Sequence, residues 1–359
     1  MTDDARRLRV GRAEAQLLRG DAGAPPEKLV HHLLAVQAQD FRAARLALRV
    51  RRPGLTAVDV DQALTMERSL VIGWLVRGTL HLVRREDYPW LLALSAPRQH
   101  TTSTRRLRQE GVPPAAAERA TALFARALTA AGPLDRHQLA TRAAAAGIRT
   151  EGQALVHLLH LAALRGVLVL GPVRAGTPIF AATNDWLGAD IAAQVRNVDR
   201  DAALAELARR FLAAHGPASA HDLAAWSGLG LRAARAGLGA IGAELTELAD
   251  GLVDRARRSP STAVVPARLL PAFDPYLLGW KDRSFAVPVR SARQVHPGGG
   301  VLRATATVDG SAVGTWTARR RDDRLHIDID GFASLDEHAG ALHDEAADVA
   351  RFEGLTLTG

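Results

Sequence analysis

An internal repeat most constrains what this chain can fold into. The segments 130–148 and 213–230 contain five matched residues at a constant offset of 84 positions. The matched residues are Gly132, Pro133, His137, Leu139 and Ala140 in the first copy and Gly216, Pro217, His221, Leu223 and Ala224 in the second. Solenoid repeats have periods of roughly 20 to 50 residues, so this longer period predicts duplicated modules of about 80 residues.

Each copy of the repeat contains the pattern of a helix-turn-helix. A helix ends at a Gly-Pro pair, and an apolar-periodic helix begins near His137 or His221. A further helix is predicted at 151–166 in the first copy and at 230–242 in the second, which completes two helices joined by a tight turn. The segment 167–183 then has two apolar runs around a Gly- and Pro-rich loop, the pattern of a hairpin. Helices followed by a hairpin predict a winged helix.

Residues before the repeat predict a less regular module of the same kind. A helix is predicted over 27–38, after two prolines that suit a helix start because proline lacks the N–H left unbonded there. Asp40 is a predicted N-cap for a helix over 41–51. The alternating segment 73–87 predicts one strand with a solvent-facing side, a candidate wing.

The chain changes character after about residue 285. Alternating runs on either side of Asp309 and Gly310 predict a hairpin, because Asp-Gly is a favoured hairpin turn. Another strand is predicted at 325–332, followed by an acidic-faced helix at 334–354. These elements predict a small β-rich C-terminal domain.

The charge of the chain favours a polyanionic partner. The formal net charge is +8, and 44 of the 46 basic residues are arginine, since Lys28 and Lys281 are the only lysines. Arginine grips phosphate with a planar fork of donors. A GC-rich genome would explain arginine in place of lysine, but not the excess of base over acid. Aromatic residues make up only 4% of the chain, too few for a series of base-stacking platforms, so duplex nucleic acid is the favoured partner.

Several classes of site and location are excluded or not expected. The chain has no cysteine, which excludes disulfides, cysteine nucleophiles and thiolate metal sites. His31 with His32, and His157 with His160, are the nearest approaches to a metal pair, and we expect neither a metal nor a cofactor. No apolar run reaches the length of a membrane span, and the N-terminus lacks a signal-peptide pattern, so we expect a cytoplasmic monomer with no membrane partner.

Four short segments, in order and spread over nearly the whole chain, resemble one bacterial family. They are LLAVQAQD (33–40), RGTLHLV (77–83), LLPAFDPYLLGWKDR (269–283) and VDGSAVGTW (308–316). The family is that of the AlkZ-like winged-helix DNA glycosylases, which includes the azinomycin-resistance enzyme. The resemblance implies a mainly α fold with small β elements: three tandem winged helix-turn-helix modules in a C-shaped arrangement, plus the β-rich domain. The expected domains are 1–112, 113–195, 196–284 and 285–359, the first of them holding the active site.

The resemblance also implies a function and a catalytic pair. It implies a monofunctional glycosylase that excises bulky N7-alkylguanine from double-stranded DNA, including guanines in interstrand crosslinks. It also implies a role in self-resistance to an alkylating natural product. The family signature of glutamine, apolar residue, glutamine matches Gln37, Ala38 and Gln39. Residues two apart on a continuous helix point about 200° from each other, so a shared target requires a break in the helix. Asp40 is a candidate for activating water, although we favour its N-cap role.

Basic and polar side chains elsewhere are candidates for DNA contact. They are Arg45, Arg77, Thr79, His81, Lys281, Arg283, Arg319, Arg320 and Arg321. Each group also has a structural alternative. Residues 77–81 could be an exposed strand without a partner, and residues 319–321 a solvated charge cluster. Lys281 and Arg283 could pair with Asp274 and Asp282. In this family a C-terminal hairpin lies close to DNA. A non-enzymatic winged-helix regulator or a damage sensor is the alternative function.

Overall fold

The computed structural model describes residues 3–20, 23–255 and 264–358. The chain forms two compact units. The first unit comprises residues 1–60, 205–226 and 230–359, and the second comprises 61–204 and 227–229.

Helices account for most of the regular structure. They are α1 (Asp3–Ala15), α2 (Pro26–Leu33), α3 (Phe41–Arg51), α4 (Ala57–Thr65), α5 (Tyr88–Gln109), α6 (Pro114–Ala131), α7 (Arg136–Ala145), α8 (Ala154–Leu164), α9 (Thr183–Leu187), α10 (Ile191–Arg196), α11 (Arg200–His215), α12 (Ala220–Ser227), α13 (Leu231–Ala240), α14 (Pro275–Leu278), α15 (Ala292–Val295) and α16 (Ala339–Glu353). The mainly helical fold class that we predicted is confirmed.

Most strands belong to antiparallel hairpins. They are β1 (Val36–Gln37), β2 (Leu70–Trp74), β3 (Leu80–Arg84), β4 (Leu168–Arg174), β5 (Thr177–Ala182), β6 (Leu245–Glu247), β7 (Val253–Arg255), β8 (Arg268–Leu270), β9 (Thr305–Val308), β10 (Ser311–Arg321), β11 (Arg324–Gly331) and β12 (Thr356–Leu357). In the second unit, β3, β2, β4 and β5 are neighbours in that order in an antiparallel sheet.

The two copies of the sequence repeat have the same order of elements. In the second unit, α6 is followed by a β-bridge residue (Leu134, paired with Phe180), α7, α8 and the β4–β5 hairpin. In the first unit, α11 is followed by Ala218, which is bridged to Val253, and then by α12, α13 and the β6–β7 hairpin. The hairpin predicted at 167–183 is therefore confirmed.

The helix after each Gly-Pro pair begins with a capping box. The side chain of Asp135 accepts a hydrogen bond from the backbone N–H of Gln138 at 2.8 Å, and the Gln138 side chain accepts one from the Asp135 N–H at 2.9 Å. In the other copy, Ser219 and Asp222 exchange the same two bonds at 3.2 and 2.9 Å. Two of the backbone donors that every helix start leaves unbonded are satisfied in each copy.

The segment 73–87 differs from the single strand that we predicted. It holds the end of β2, a 3₁₀ turn over Val76–Gly78 and the whole of β3. Arg77 and Gly78 have φ values of 55° and 75°, so the chain reverses there, and Trp74 pairs with Leu80. The extended conformation was predicted correctly for both arms, but the alternation of buried and exposed residues was not, and the pattern gave no sign of the turn between them.

His81 is buried, which corrects the prediction that it lies on a solvent-facing side. Only 2% of its surface is exposed, and the register of the hairpin places it opposite Gly73. Its ring Nδ1 donates a hydrogen bond to the Thr79 carbonyl oxygen at 3.0 Å. Burial, with a smaller effect of the nearby Arg77 charge, lowers the pKa of His81 to about 3. A neutral buried ring does not contact DNA, so His81 is removed from the candidate DNA contacts.

The C-terminal hairpin is confirmed. Asp309 and Gly310 have φ values of 47° and 73°, as a type I′ turn requires, and they join β9 to β10. The sheet order is β12, β11, β10, β9, β8, and α16 packs against α3 and β8. These elements belong to the same compact unit as α1, α2 and α3.

The first unit is held together by a buried ion pair between α3 and the start of α14. Arg51 donates to both carboxylate oxygens of Asp274, at 2.8 and 2.9 Å, and neither side chain is exposed. Arg51 also donates to the Gln16 side chain at 2.9 Å, and Gln16 donates to the Ala214 carbonyl oxygen at 2.7 Å. Through the two terminal nitrogens of Arg51, this buried network links residues on or next to α1, α3, α11 and α14.

Removal of one partner of this pair should destabilise the first unit strongly. We expect Asp274→Ala to lower the free energy of unfolding by about 3–5 kcal/mol, because the Arg51 charge would remain buried without compensation. Calorimetric unfolding measures the change. Asp3→Ala is the matched control, since the Asp3 side chain is 71% exposed in its ion pair with Arg7 and should change stability by less than about 1 kcal/mol. Equal effects of the two variants would contradict the prediction.

The buried His81 should make the second unit sensitive to acid. Its pKa is about 3 when folded and about 6.5 when unfolded, so between these values the unfolded state binds the proton more strongly. Stability is therefore lost as the pH falls below about 6.5, by about 2 kcal/mol between pH 7 and pH 5. We expect His81→Gln to reduce the drop in Tm between these pH values. The exposed His137→Gln should retain the wild-type drop, and an unchanged drop in both variants would refute the assignment.

Candidate active site

The helix that leads to the amide pair ends earlier than we predicted. We expected a helix over 27–38, but α2 ends at Leu33, and Leu34 has a φ of 69°. A positive φ at a leucine breaks the helix sharply, and the chain continues extended through Val36 and Gln37. The break that a shared target requires is confirmed, five residues upstream of the expected helix end.

The extended backbone places both amides on one side of the chain. Val36 and Ala38 point into the core and are 1% and 4% exposed, whereas Gln37 is half-buried and Gln39 is exposed. Successive side chains alternate between the two faces of an extended segment, so residues 37 and 39 share a face. Gln37 Nε2 donates a hydrogen bond to Gln39 Oε1 at 3.3 Å. The structure therefore brings the two predicted residues together.

Asp40 caps the following helix, as we predicted. Its backbone is extended, with φ −101° and ψ 104°, and its Oδ1 accepts a hydrogen bond from the Ala43 N–H at 3.0 Å. This carboxylate oxygen satisfies a donor at the start of α3 and benefits from the positive end of the helix dipole. The two neutral amides thus lie beside a carboxylate that has a structural role.

Helix α3 is anchored by arginines that sequence reasoning treated only as part of the basic charge. Arg49 is unexposed and donates to Glu345 and Asp348 at 3.0 Å each, and to the Leu269 carbonyl oxygen at 3.0 Å. Together with Arg51, these contacts fix the helix that begins at Phe41, two residues after Gln39. The spacing of Glu345 and Asp348, three residues apart on one helix face, was the available signal for this anchor.

Arg45 lies on α3 but is not simply a solvent-facing cation. It is half-buried, and its guanidinium carbon lies 4.7 Å from the centre of the Phe41 ring. This is a cation–π distance. The part of Arg45 that stays accessible keeps it a candidate for DNA contact on the helix next to the amides.

Asp274 pairs with Arg51, so the alternative in which it pairs with Lys281 or Arg283 is wrong. Lys281 is exposed, and its backbone N–H donates to Asp222 at 2.9 Å. Arg283 is half-buried, and its Nε donates to the Leu277 carbonyl oxygen at 2.6 Å. Burial lowers the pKa of Arg283, and the neighbouring Asp282 partly offsets that effect. Of the two cations, Lys281 is the more accessible to a ligand.

The three arginines predicted as hairpin contacts lie at the exposed end of β10. Arg319 forms an ion pair with Asp328 across the hairpin, and Arg320 Nε donates to the Asp322 carbonyl oxygen at 2.9 Å. Arg321 is exposed and pairs in register with Arg324. A hairpin tip with this many guanidinium groups is suited to a phosphate backbone.

Arg77 and Thr79 lie in the turn before β3 and are half-buried. The Thr79 hydroxyl donates to the Val76 carbonyl oxygen at 3.2 Å, which closes the turn. Within the described ranges, no group of three or more His, Cys, Asp or Glu is placed to hold a metal ion. In that same part of the chain, no helix is long and apolar enough to cross a membrane.

Comparison with known proteins agrees with this architecture. The family model described as DNA glycosylase AlkZ-like matches residues 30–352. An interstrand DNA cross-link repair glycosylase of Streptomyces sahachiroi is 29% identical over a gapped alignment of 369 positions, which covers 96% of this chain and 95% of that protein. The structure of the Streptomyces sahachiroi DNA glycosylase AlkZ matches with a TM-score of 0.77 and 26% identity over 100% of both chains. The chain therefore belongs to the AlkZ-like family of DNA glycosylases.

Proposed function

We propose that the protein is a monofunctional DNA glycosylase that hydrolyses the N-glycosidic bond of bulky N7-alkylguanine in double-stranded DNA, with Gln37 and Gln39 as its catalytic residues. The observation that carries the proposal is the shared face of the two hydrogen-bonded amides on an extended segment beside a capped helix. Three winged-helix modules would form the DNA-binding framework, and the matching order of elements in the two repeat copies supports this.

The chemistry of the lesion makes neutral amides sufficient. Alkylation at N7 gives guanine a positive charge, so the base leaves with the electron pair of the glycosidic bond and becomes neutral. No strong general acid is needed. The remaining tasks are to stabilise the cationic sugar that develops and to hold a water against its anomeric carbon. The water oxygen forms the new bond to that carbon, and its proton passes to solvent.

The two amides divide these tasks through their donors and acceptors. An amide carbonyl oxygen accepts a hydrogen bond from the attacking water and its dipole stabilises the developing positive charge. The hydrogen bond from Gln37 to Gln39 fixes the orientation of one amide by the other. An amide does not take up a proton near neutral pH, which confines the activity to bases that are already good leaving groups.

The proposal extends to interstrand crosslinks. The similar Streptomyces sahachiroi protein is an interstrand DNA cross-link repair glycosylase, and a crosslink through N7 of guanine has the same cationic leaving group. The physiological role would be self-resistance to a DNA-alkylating natural product.

Replacement of either amide should abolish most of the excision. We expect Gln37→Ala and Gln39→Ala each to lower the single-turnover rate on duplex DNA with an N7-alkylguanine by about 100-fold or more, since removal of a preorganised polar group commonly costs this much. Release of the base is measured without heating. The exposed Gln194→Ala is the control for loss of a surface amide.

Binding to the same duplex separates the alternatives. Excision lost with binding retained supports the amide pair as the catalytic centre. Excision that survives both replacements places the chemistry elsewhere, with Asp40→Asn as the next variant. Binding of the lesion without release by the wild type would refute the enzyme and favour a damage sensor or regulator.

DNA binding should depend steeply on salt. We expect the logarithm of the affinity to fall linearly with the logarithm of the salt concentration. The magnitude of this negative slope should decrease by roughly 0.9 for each phosphate contact removed. A variant with Arg319→Gln, Arg320→Gln and Arg321→Gln should have a shallower slope, measured by fluorescence anisotropy on an undamaged duplex. A wild-type slope near zero would show that the excess of arginine is only compositional.

A further inference from the structure

A polar cavity lies within the second unit, away from the amide pair in sequence. Its volume is about 370 Å³, within the usual range of roughly 300 to 1,000 Å³ for ligand sites. The chemistry of its lining comes from Arg77, Arg98, Gln99, Thr102, His160 and Ser227. Among the described residues that line it, none is Asp or Glu. This lining is suited to an anion.

Both arginines lie against the same glycine and line the same cavity. Arg98 Nη1 donates a hydrogen bond to the Gly228 carbonyl oxygen at 2.9 Å. Gly228 has a φ of 71°, and a Cβ placed on it would lie 3.2 Å from the Cα of Arg77, so a larger residue there would be strained and crowded. A guanidinium group offers a charged, planar set of donors that matches phosphate.

The inner wall of the cavity is a fixed and neutral hydrogen-bond network. The Gln99 side-chain nitrogen donates to the Leu75 carbonyl oxygen, and Gln99 Oε1 accepts from His160 Nε2 at 3.3 Å. Burial, with smaller effects of His157 and His100, lowers the pKa of His160 to about 4. The imidazole is therefore neutral near pH 7, and the arginines carry the positive charge of the site.

A larger cavity in the first unit shows the contrast. Its volume is about 670 Å³, and its lining combines the carboxylates of Asp222, Asp250 and Asp282 with the cations Arg12 and Lys281. The carboxylates offset the two cations, so this lining has no excess of positive charge. The charge of the cavity in the second unit is thus a property of that site rather than of every cavity in an arginine-rich protein.

We propose that the cavity lined by Arg77 and Arg98 binds a phosphate group, supplied by a backbone phosphodiester of the DNA substrate. The phosphate chemistry follows from the cavity itself, whereas DNA as its source rests on the proposed function. A free phosphate ester is the other source of the same chemistry.

The test compares Arg98→Gln with Arg105→Gln, two exposed arginines on α5 of which only Arg98 lines the cavity. Inorganic phosphate is titrated by calorimetry, and an undamaged duplex is titrated at several salt concentrations. We expect Arg98→Gln to weaken phosphate binding about tenfold or more and to reduce the salt slope for DNA by about 0.9. Arg105→Gln should leave phosphate binding unchanged. Arg98→Lys, which keeps the charge but not the fork, should retain the slope and weaken phosphate binding.

Each outcome decides the proposal. A reduced slope assigns the phosphate to the DNA strand, and weaker phosphate binding with an unchanged slope assigns the cavity to a free phosphate ester. Identical behaviour of Arg98→Gln and Arg105→Gln in both titrations overturns the phosphate site. Excision by the wild type is measured in parallel, so a protein that binds phosphate through Arg98 but releases no base would refute only the glycosylase proposal.

Discussion

The buried pair of Arg51 and Asp274 is the interaction on which the position of the amide pair depends. A charge with no exposed surface is costly unless it is paired, and the terminal nitrogens of Arg51 find acceptors on Asp274, Gln16 and its own helix. These contacts fix the C-terminal end of α3, while Arg49 fixes the same helix to α16. The other end of α3 begins at Phe41, two residues after Gln39. The amides therefore directly precede the N-cap of a helix that cannot shift without exposing a buried charge or removing its partners.

Some of the arginines are structural rather than available to DNA. Arg9, Arg49 and Arg51 are buried in ion pairs of the first unit. The net charge of the chain indicates a polyanionic partner, but composition does not tell which arginines face it. Guanidinium groups are accessible at the end of β10 and at the cavity of the second unit. The register of the hairpin determines the first position, and packing against Gly228 contributes to the second.

Sequence reasoning succeeded where local chemistry determines structure. The Asp40 cap, the Asp309-Gly310 turn and the repeated helices depend on a few neighbouring residues, and all were predictable. It failed where long-range packing decides. Leu34 adopts a positive φ that its side chain disfavours, and His81 is buried by a turn that the alternating pattern does not reveal. The sequence indicated that a helix break must bring the two amides to one face. It did not give the position of that break, because α2 ends five residues earlier than its apolar pattern indicates.

Neutral amides and a structurally engaged carboxylate define how selective the proposed chemistry is. A carboxylic acid or imidazole poised near neutral pH would assist departure of ordinary purines, at the cost of damage to intact DNA. Glutamine offers oriented dipoles without a transferable proton, so the lesion must supply its own leaving-group activation. Because Asp40 is held by the Ala43 N–H, the nearest carboxylate in sequence is drawn toward α3. The hydrogen bond that caps α3 therefore also engages the carboxylate that could otherwise act as an acid or base beside the amides.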